Sequence, residues 1–177
     1  MQNEHVVLVD EENNVLGIMS KLAAHSASTP LHRAFSLFLF NNNGELLLQQ
    51  RSHKKKTWPL VWSNSCCGHP QLNEKTEDAV RRRLKEELGM TVQELKLASS
   101  YRYKFTHDGI MENEICPIYV GYVDQANDTP KPNPDEVEQI KWLKWQDFLA
   151  EIKIHPENYS EWCVEEALIL SKIMSVK

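Results

Sequence analysis

The chain has 177 residues, 41% of them hydrophobic and 25% charged, and its 20 Lys and Arg against 25 Asp and Glu give a net charge of −5. That length fits one domain burying about 70% of its unfolded surface without disulfide or metal staples, and the composition excludes global disorder. The mild acidity supplies no global pull toward nucleic acid or an anionic membrane, so an anionic ligand must be gripped by a local group of cations.

In chain order, His5 to Val9 and Val15 to Met19 read as strands joined by a turn at Glu11-Glu12-Asn13-Asn14. Phe35 to Phe40 is a strong apolar strand, and Asn41-Asn42-Asn43-Gly44 turns it back into Glu45 to Gln50. Thr76 to Leu88 reads as a helix with Thr76 as N-cap, Glu77 and Asp78 in the first turn, a stripe at Val80, Leu84 and Leu88, and Gly89 as the stop. Leu95 to Phe105, Ile115 to Val123 and Val137 to Trp142 read as three further strands. Asp124 to Glu136, rich in Asn, Asp and Pro (Asn127, Asp128, Pro130, Pro132, Asn133, Pro134), reads as a surface loop. Trp145 to Glu151 suggests a short helix, and Ser160 caps a last helix striped by Cys163, Ala167, Leu170 and Met174. Strands mixed with a few helices, without regular β-α-β alternation, predict an α+β fold.

No apolar run approaches the roughly 20 residues of a membrane span. The segment Met1 to His5 lacks a basic start and an apolar stretch, so a cytoplasmic location is expected. Cys66, Cys67, Cys116 and Cys163 form no C-x-x-C pair and read as reduced thiols.

The charged helix carries the first chemical signal. Arg82 and Glu86 stand one turn apart, as do Arg83 and Glu87, which on its own describes a solvated face of ion pairs. Yet the run from Gly68 through Glu74 to Arg82-Arg83-Leu84-Lys85-Glu86-Glu87-Leu88-Gly89-Met90 resembles the Nudix box, G-x5-E-x7-R-E-U-x-E-E-x-G-U with U a bulky aliphatic residue. One fixed position departs from it: Arg83 stands where the box has Glu. In the hydrolases of that family this Glu and the two terminal Glu residues bind the metal ions that activate water. A cation there removes a ligand and repels a divalent ion, which weakens the hydrolase implication while leaving that of the fold. A guanidinium suits direct bidentate contact with a diphosphate instead.

A second group comprises His25, His32, His69, Glu112 and Glu114. Glu112 and Glu114 lie two apart before the strand at Ile115, so their carboxylates share a face. Three imidazoles and two carboxylates, one bidentate, would make an octahedral N/O site suited to Mn²⁺ or Mg²⁺, with Zn²⁺ as an adventitious occupant. Their spacing matches no short zinc motif.

Four stretches resemble the type 1 isopentenyl-diphosphate isomerases, a family with a modified Nudix fold. They are Ala23-Ala24-His25 with Leu31-His32; Trp58 to Pro70, including Cys67-Gly68-His69-Pro70; Tyr101-Arg102-Tyr103; and Glu112-Asn113-Glu114-Ile115-Cys116-Pro117. The likeness runs from His5 to about Trp162. It implies one Nudix-like isomerase domain over residues 1–177, with its core at about 30–150 and a C-terminal helix at about 160–175. The implied architecture is a mixed β-sheet sandwiched between helices, with an extra N-terminal strand region.

By the same resemblance the family converts isopentenyl diphosphate to dimethylallyl diphosphate by metal-dependent protonation and deprotonation. Cys67 and Glu114 would be the proton-transfer groups on opposite sides of the hydrocarbon, and Tyr103 a partner of Glu114. Trp162 would face the carbocation, a contact worth ~2 kcal/mol when desolvated. Lys21, Arg51, Lys55 and Arg83 would hold the diphosphate. His25, His32, His69, Glu112 and Glu114 would bind the Mn²⁺ or Mg²⁺, and Glu87 a second Mg²⁺ that bridges to the diphosphate. A small-molecule partner, no nucleic acid or membrane, and a monomer or weak homodimer are expected. A nucleotide-type Nudix hydrolase and a non-catalytic metal-binding domain stay open as alternatives at this point.

Overall fold

The computed structural model describes residues 4–124 and 128–174, so Asn127 of the expected loop lies outside the described residues. The elements are β1 (His5–Val9), β2 (Val15–Ser20), α1 (Lys21–Ala24), β3 (His32–Arg33), β4 (Phe35–Asn41), β5 (Glu45–Arg51), β6 (Trp62–Ser63), β7 (Cys66–Gly68), α2 (Thr76–Leu88), β8 (Glu94–Ser99), β9 (Arg102–His107), β10 (Ile110–Ile115), β11 (Ile118–Val123), β12 (Val137–Lys144), α3 (Trp145–Ile154) and α4 (Glu161–Met174).

One mixed sheet runs β12-β5-β4-β11-β8, with β6 paired to β5 and β7 to β4. A second runs β2-β1-β3-β10-β9. The expected N-terminal strand region is thus part of a sheet of its own.

Strand β4 shows why the large sheet is a middle layer. All seven of its residues are buried, as a strand covered on both faces requires. Phe35, Leu37 and Leu39 point to one side, where they pack with Val80, Leu84 and Leu88 of α2. Phe38 and Phe40 point to the other, under Phe148 of α3 and Trp162, Cys163 and Leu170 of α4. Period-two alternation also splits the adjacent cysteines: Cys66 joins the α2 cluster and Cys67 the α4 cluster.

Several expected boundaries shift. Leu95 to Phe105 is two strands in different sheets, and Cys116-Pro117 interrupts Ile115 to Val123. Proline lacks the N–H a continuous ladder would use. The parallel pairing nevertheless carries across the gap at Ala34 between β3 and β4 and that at Cys116-Pro117: Ala34 N donates to Ile115 O at 2.9 Å, and Ser36 N to Pro117 O at 3.1 Å. The two sheets are thereby hinged along β3–β4 and β10–β11. Thr76 is the first helical residue rather than the cap; Lys75 holds that place without a side-chain bond. Gly89 ends α2 as expected, at φ 65°. Ser160 precedes α4, and its hydroxyl lies 2.9 Å from that of Ser63.

Gly68 of β7 packs tightly against Arg83 of α2 and Phe35 of β4. A Cβ there would sit 2.9 Å from Arg83 Cγ and 3.0 Å from Phe35 Cζ. Gly68→Ala is expected to cost about 1–3 kcal/mol by overpacking, read as a lower urea midpoint at unchanged slope.

Candidate active site

The hinge between the sheets gathers residues that are distant in the chain. In the small sheet Glu114 of β10 registers with His32 of β3 on one side and with Tyr103 of β9 on the other. Glu112, two residues back on the same face, reaches His25 beyond the end of α1, with Oε2 3.0 Å from Nε2. His69 follows β7 and brings its Nε2 to 3.0 Å from Glu114 Oε1 and 3.3 Å from His32 Nε2. His32 Nε2 lies 3.2 Å from that same oxygen.

This arrangement is compatible with a divalent metal site. One ligand atom from each of His25, His32, His69 and Glu114 falls within 4.8 Å of all the others. The outer nitrogens of two rings face backbone carbonyls, His25 Nδ1 at 2.8 Å from Lys21 O and His32 Nδ1 at 2.9 Å from Pro30 O. Donation there fixes the tautomer and leaves each Nε2 lone pair turned inward. Burial holds His69 down to about 3 against the opposite pull of Glu114, so its ring is neutral as ligation needs. Glu112 Oε2 is buried, and its contact with His25 Nε2 at 3.0 Å is not a geometrically formed hydrogen bond. Inward lone pairs beside such an oxygen fit a divalent cation, and the His and Glu set is compatible with one.

Beside this cluster, Tyr103 donates its hydroxyl to Glu114 Oε2 at 2.5 Å. Its ring stacks on Trp162 with centroids 5.9 Å apart and planes 17° apart. Cys67 packs against the same apolar cluster, opposite Ser36 in the β4–β7 register. Its Sγ donates to Asn64 Oδ1 at 3.1 Å and lies 3.6 Å from Ser36 Oγ. Burial pushes the thiol up to about 12, with Glu166 acting in the same direction. Asn64 is itself held by bonds from its amide to Leu37 O and Cys66 O, so the sulfur is fixed by a rigid partner.

The cations divide into two settings. Arg83, on the buried side of α2, pairs with Glu87, with Glu86 at 3.0 Å, and with Glu4 and Glu136 at 3.4 Å. Lys55 pairs with Glu136, and Lys21 with Glu4 at 2.6 Å. Arg83, Lys55 and Lys21 therefore form one network with Glu4, Glu87 and Glu136. Arg51 stands apart by its contacts: its guanidinium donates to Thr57 O and Trp58 O and lies 5.7 Å from the Trp162 ring centroid. Arg83→Leu would strand the Glu87 carboxylate, which is only 4% exposed. Breaking a buried pair from one side costs about 3–5 kcal/mol, and urea unfolding of the variant is expected to show that loss.

Sequence reasoning missed Glu136, Ser36, Asn64 and Glu166. For Glu166 a signal existed, since a carboxylate stood four residues after Trp162 on the stripe of Cys163, Ala167 and Leu170. For the others no local pattern distinguished them.

Comparison with known proteins places this geometry. The NUDIX domain family model matches residues 30–163. The fold is similar to the crystal structure of DR0079 from Deinococcus radiodurans, with a TM-score of 0.70 at 26% identity over 93% of this chain and 97% of that one. It is also similar to the MutT protein from Methanosarcina mazei, with a TM-score of 0.66 at 20% identity over 84% and 97%. The chain is a Nudix domain protein. Within that class it is 42% identical to the isopentenyl-diphosphate Delta-isomerase of Saccharopolyspora erythraea, over 96% of this chain and 87% of that protein. It is 45% identical to the isomerase of the same name from Citrobacter koseri, over 94% and 92%. The chain belongs to the isopentenyl-diphosphate Delta-isomerase family. No helix among the described residues is long and apolar enough to cross a membrane.

Proposed function

We propose that this protein converts isopentenyl diphosphate to dimethylallyl diphosphate by adding a proton at the terminal alkene carbon and removing one from the carbon beyond the cationic centre. The observation that carries the reading is the Cys67 side chain packed against the apolar cluster that contains the Tyr103 ring, whose hydroxyl is bonded to Glu114. The full-length likeness to isomerases supports it.

An unactivated alkene is a very weak base, so its proton donor must be held at contact distance and water kept away. Cys67 serves one face of the hydrocarbon, and Glu114 with Tyr103 the other. Trp162, 3% exposed in the same cluster, would present a π face to the developing charge. Arg83, Lys55 and Lys21 exchange carboxylate partners for the diphosphate, and Arg51 flanks them from the Trp162 side.

His25, His32, His69, Glu112 and Glu114 would hold Mn²⁺ or Mg²⁺, and Zn²⁺ adventitiously. Glu87 would hold a Mg²⁺ against the diphosphate. A divalent ion on Glu114 supplies positive charge that makes its carboxyl a stronger acid. One catalytic domain, acting as a cytoplasmic monomer or weak dimer on a small anionic substrate, completes the reading.

Proton NMR in D₂O with isopentenyl diphosphate and Mg²⁺ or Mn²⁺ tests it. Formation of dimethylallyl diphosphate with deuterium incorporated at carbon is expected. Release of phosphate from nucleotide substrates, dependent on Glu87 and without isomerisation, would overturn it.

A further inference from the structure

Glu166 is an ionisable group for which the reaction as described has no use. It lies on α4 one turn after Trp162, on the face turned to the large sheet, and is 0% exposed. Its Oε1 accepts from Cys116 Sγ at 3.8 Å, and its Oε2 has no partner among the described residues. A buried carboxylate without a cation is costly, whereas a neutral carboxylic acid is much less so. Burial pushes this carboxyl well above the usual range, against the pull of Ser36 and Cys116; Glu114 and Glu165 act with burial. Its charge acts with burial to raise the Cys67 and Cys163 thiols.

Ser36 connects Glu166 to the thiol. Its Oγ lies 3.6 Å from Cys67 Sγ and 3.4 Å from Cys116 Sγ, on the face of β4 that α4 covers. A continuous chain of exchangeable protons therefore runs from Cys67 through Ser36 and Cys116 to Glu166. A double-bond shift needs such a route. Each turnover leaves one proton-transfer group short of a proton and the other with one too many, and both must be reset before the next.

We propose that, with Cys67 as the donor to the alkene, Glu166 is a positioning residue that returns a proton to its sulfur through Cys116 and Ser36 between turnovers. The Ser36 hydroxyl gives its proton to the thiolate as it takes one from the Cys116 thiol, which in turn takes one from the Glu166 acid. The net change is one S–H bond formed and one carboxyl O–H bond broken, with no electrons transferred between groups. Water admitted as product leaves reprotonates the carboxylate, and the Glu114 side releases its extra proton to solvent. This inference rests on the isomerase reading.

The test compares Glu166→Gln and Ser36→Ala with the wild-type protein on isopentenyl diphosphate. Both variants are expected to lose about tenfold or more in kcat at unchanged KM, with a larger solvent isotope effect on kcat. Infrared spectra of the wild type should carry a protonated carboxylic acid band that shifts in D₂O, survives in Ser36→Ala and is missing from Glu166→Gln. Wild-type kcat and isotope effect in both variants would overturn the relay, as would a wild-type spectrum without that band. If Glu166→Gln does not fold, Ser36→Ala and the wild-type band decide the matter. If the wild type does not isomerise, the isomerase reading falls and takes the relay with it; if it isomerises and both variants match it, the relay alone falls.

Discussion

Cys67→Ala is expected to lower kcat by roughly 10²–10⁴-fold, the range supplied by a positioned acid or base, with KM changed little. The size follows from the position of the sulfur. It is held by Asn64 and Ser36 at the wall of an apolar cluster, and alanine leaves no exchangeable proton on that face. The fold should survive, since truncation at a partly exposed strand position removes one atom and costs about 1 kcal/mol. Steady-state assays with circular dichroism and a metal count will separate loss of chemistry from loss of structure. Undiminished turnover would show that the thiol is a bystander.

The second large effect is expected from Glu114→Gln. One carboxylate here accepts from Tyr103 through Oε2 and meets His32 and His69 through Oε1. The amide keeps the shape but replaces one of those oxygens with an NH₂ donor and removes the charge. Bound divalent metal, counted by plasma mass spectrometry, should fall well below the wild-type stoichiometry, and turnover should drop by about 10³-fold or more. Tyr103→Phe separates the two roles: it is expected to keep the metal and lose a smaller share of activity. A Glu114→Gln protein that retained both ion and turnover would remove Glu114 from the mechanism.

Much of the layout was legible because periodicity and burial agree. The β4–β5 hairpin, α2 and α4 carry patterns that tertiary packing reinforces. The breaks at Cys116-Pro117 and Ser100-Tyr101 were hidden because apolar residues stand on both sides of each, so the run reads as one strand. The box departure at Arg83 was read as a cation for an anionic ligand, but its buried pairing with Glu87 and Glu136 was out of reach. Glu136 approaches α2 because β12 pairs with β5, a contact that no local spacing encodes. The His and Glu cluster was visible as residues and not as geometry, since β3 contributes two residues and their register with β10 decides the site.

The inward-facing imidazoles and carboxylates come from four separate stretches: the end of α1, β3, the segment after β7, and β10. A single ion among them would act as a rivet through the seam where the small sheet meets the large one. Demetallated protein should therefore loosen there first, and a protease added to it would nick the arm carrying β1, β2 and α1 well before it reached the strands beneath α2.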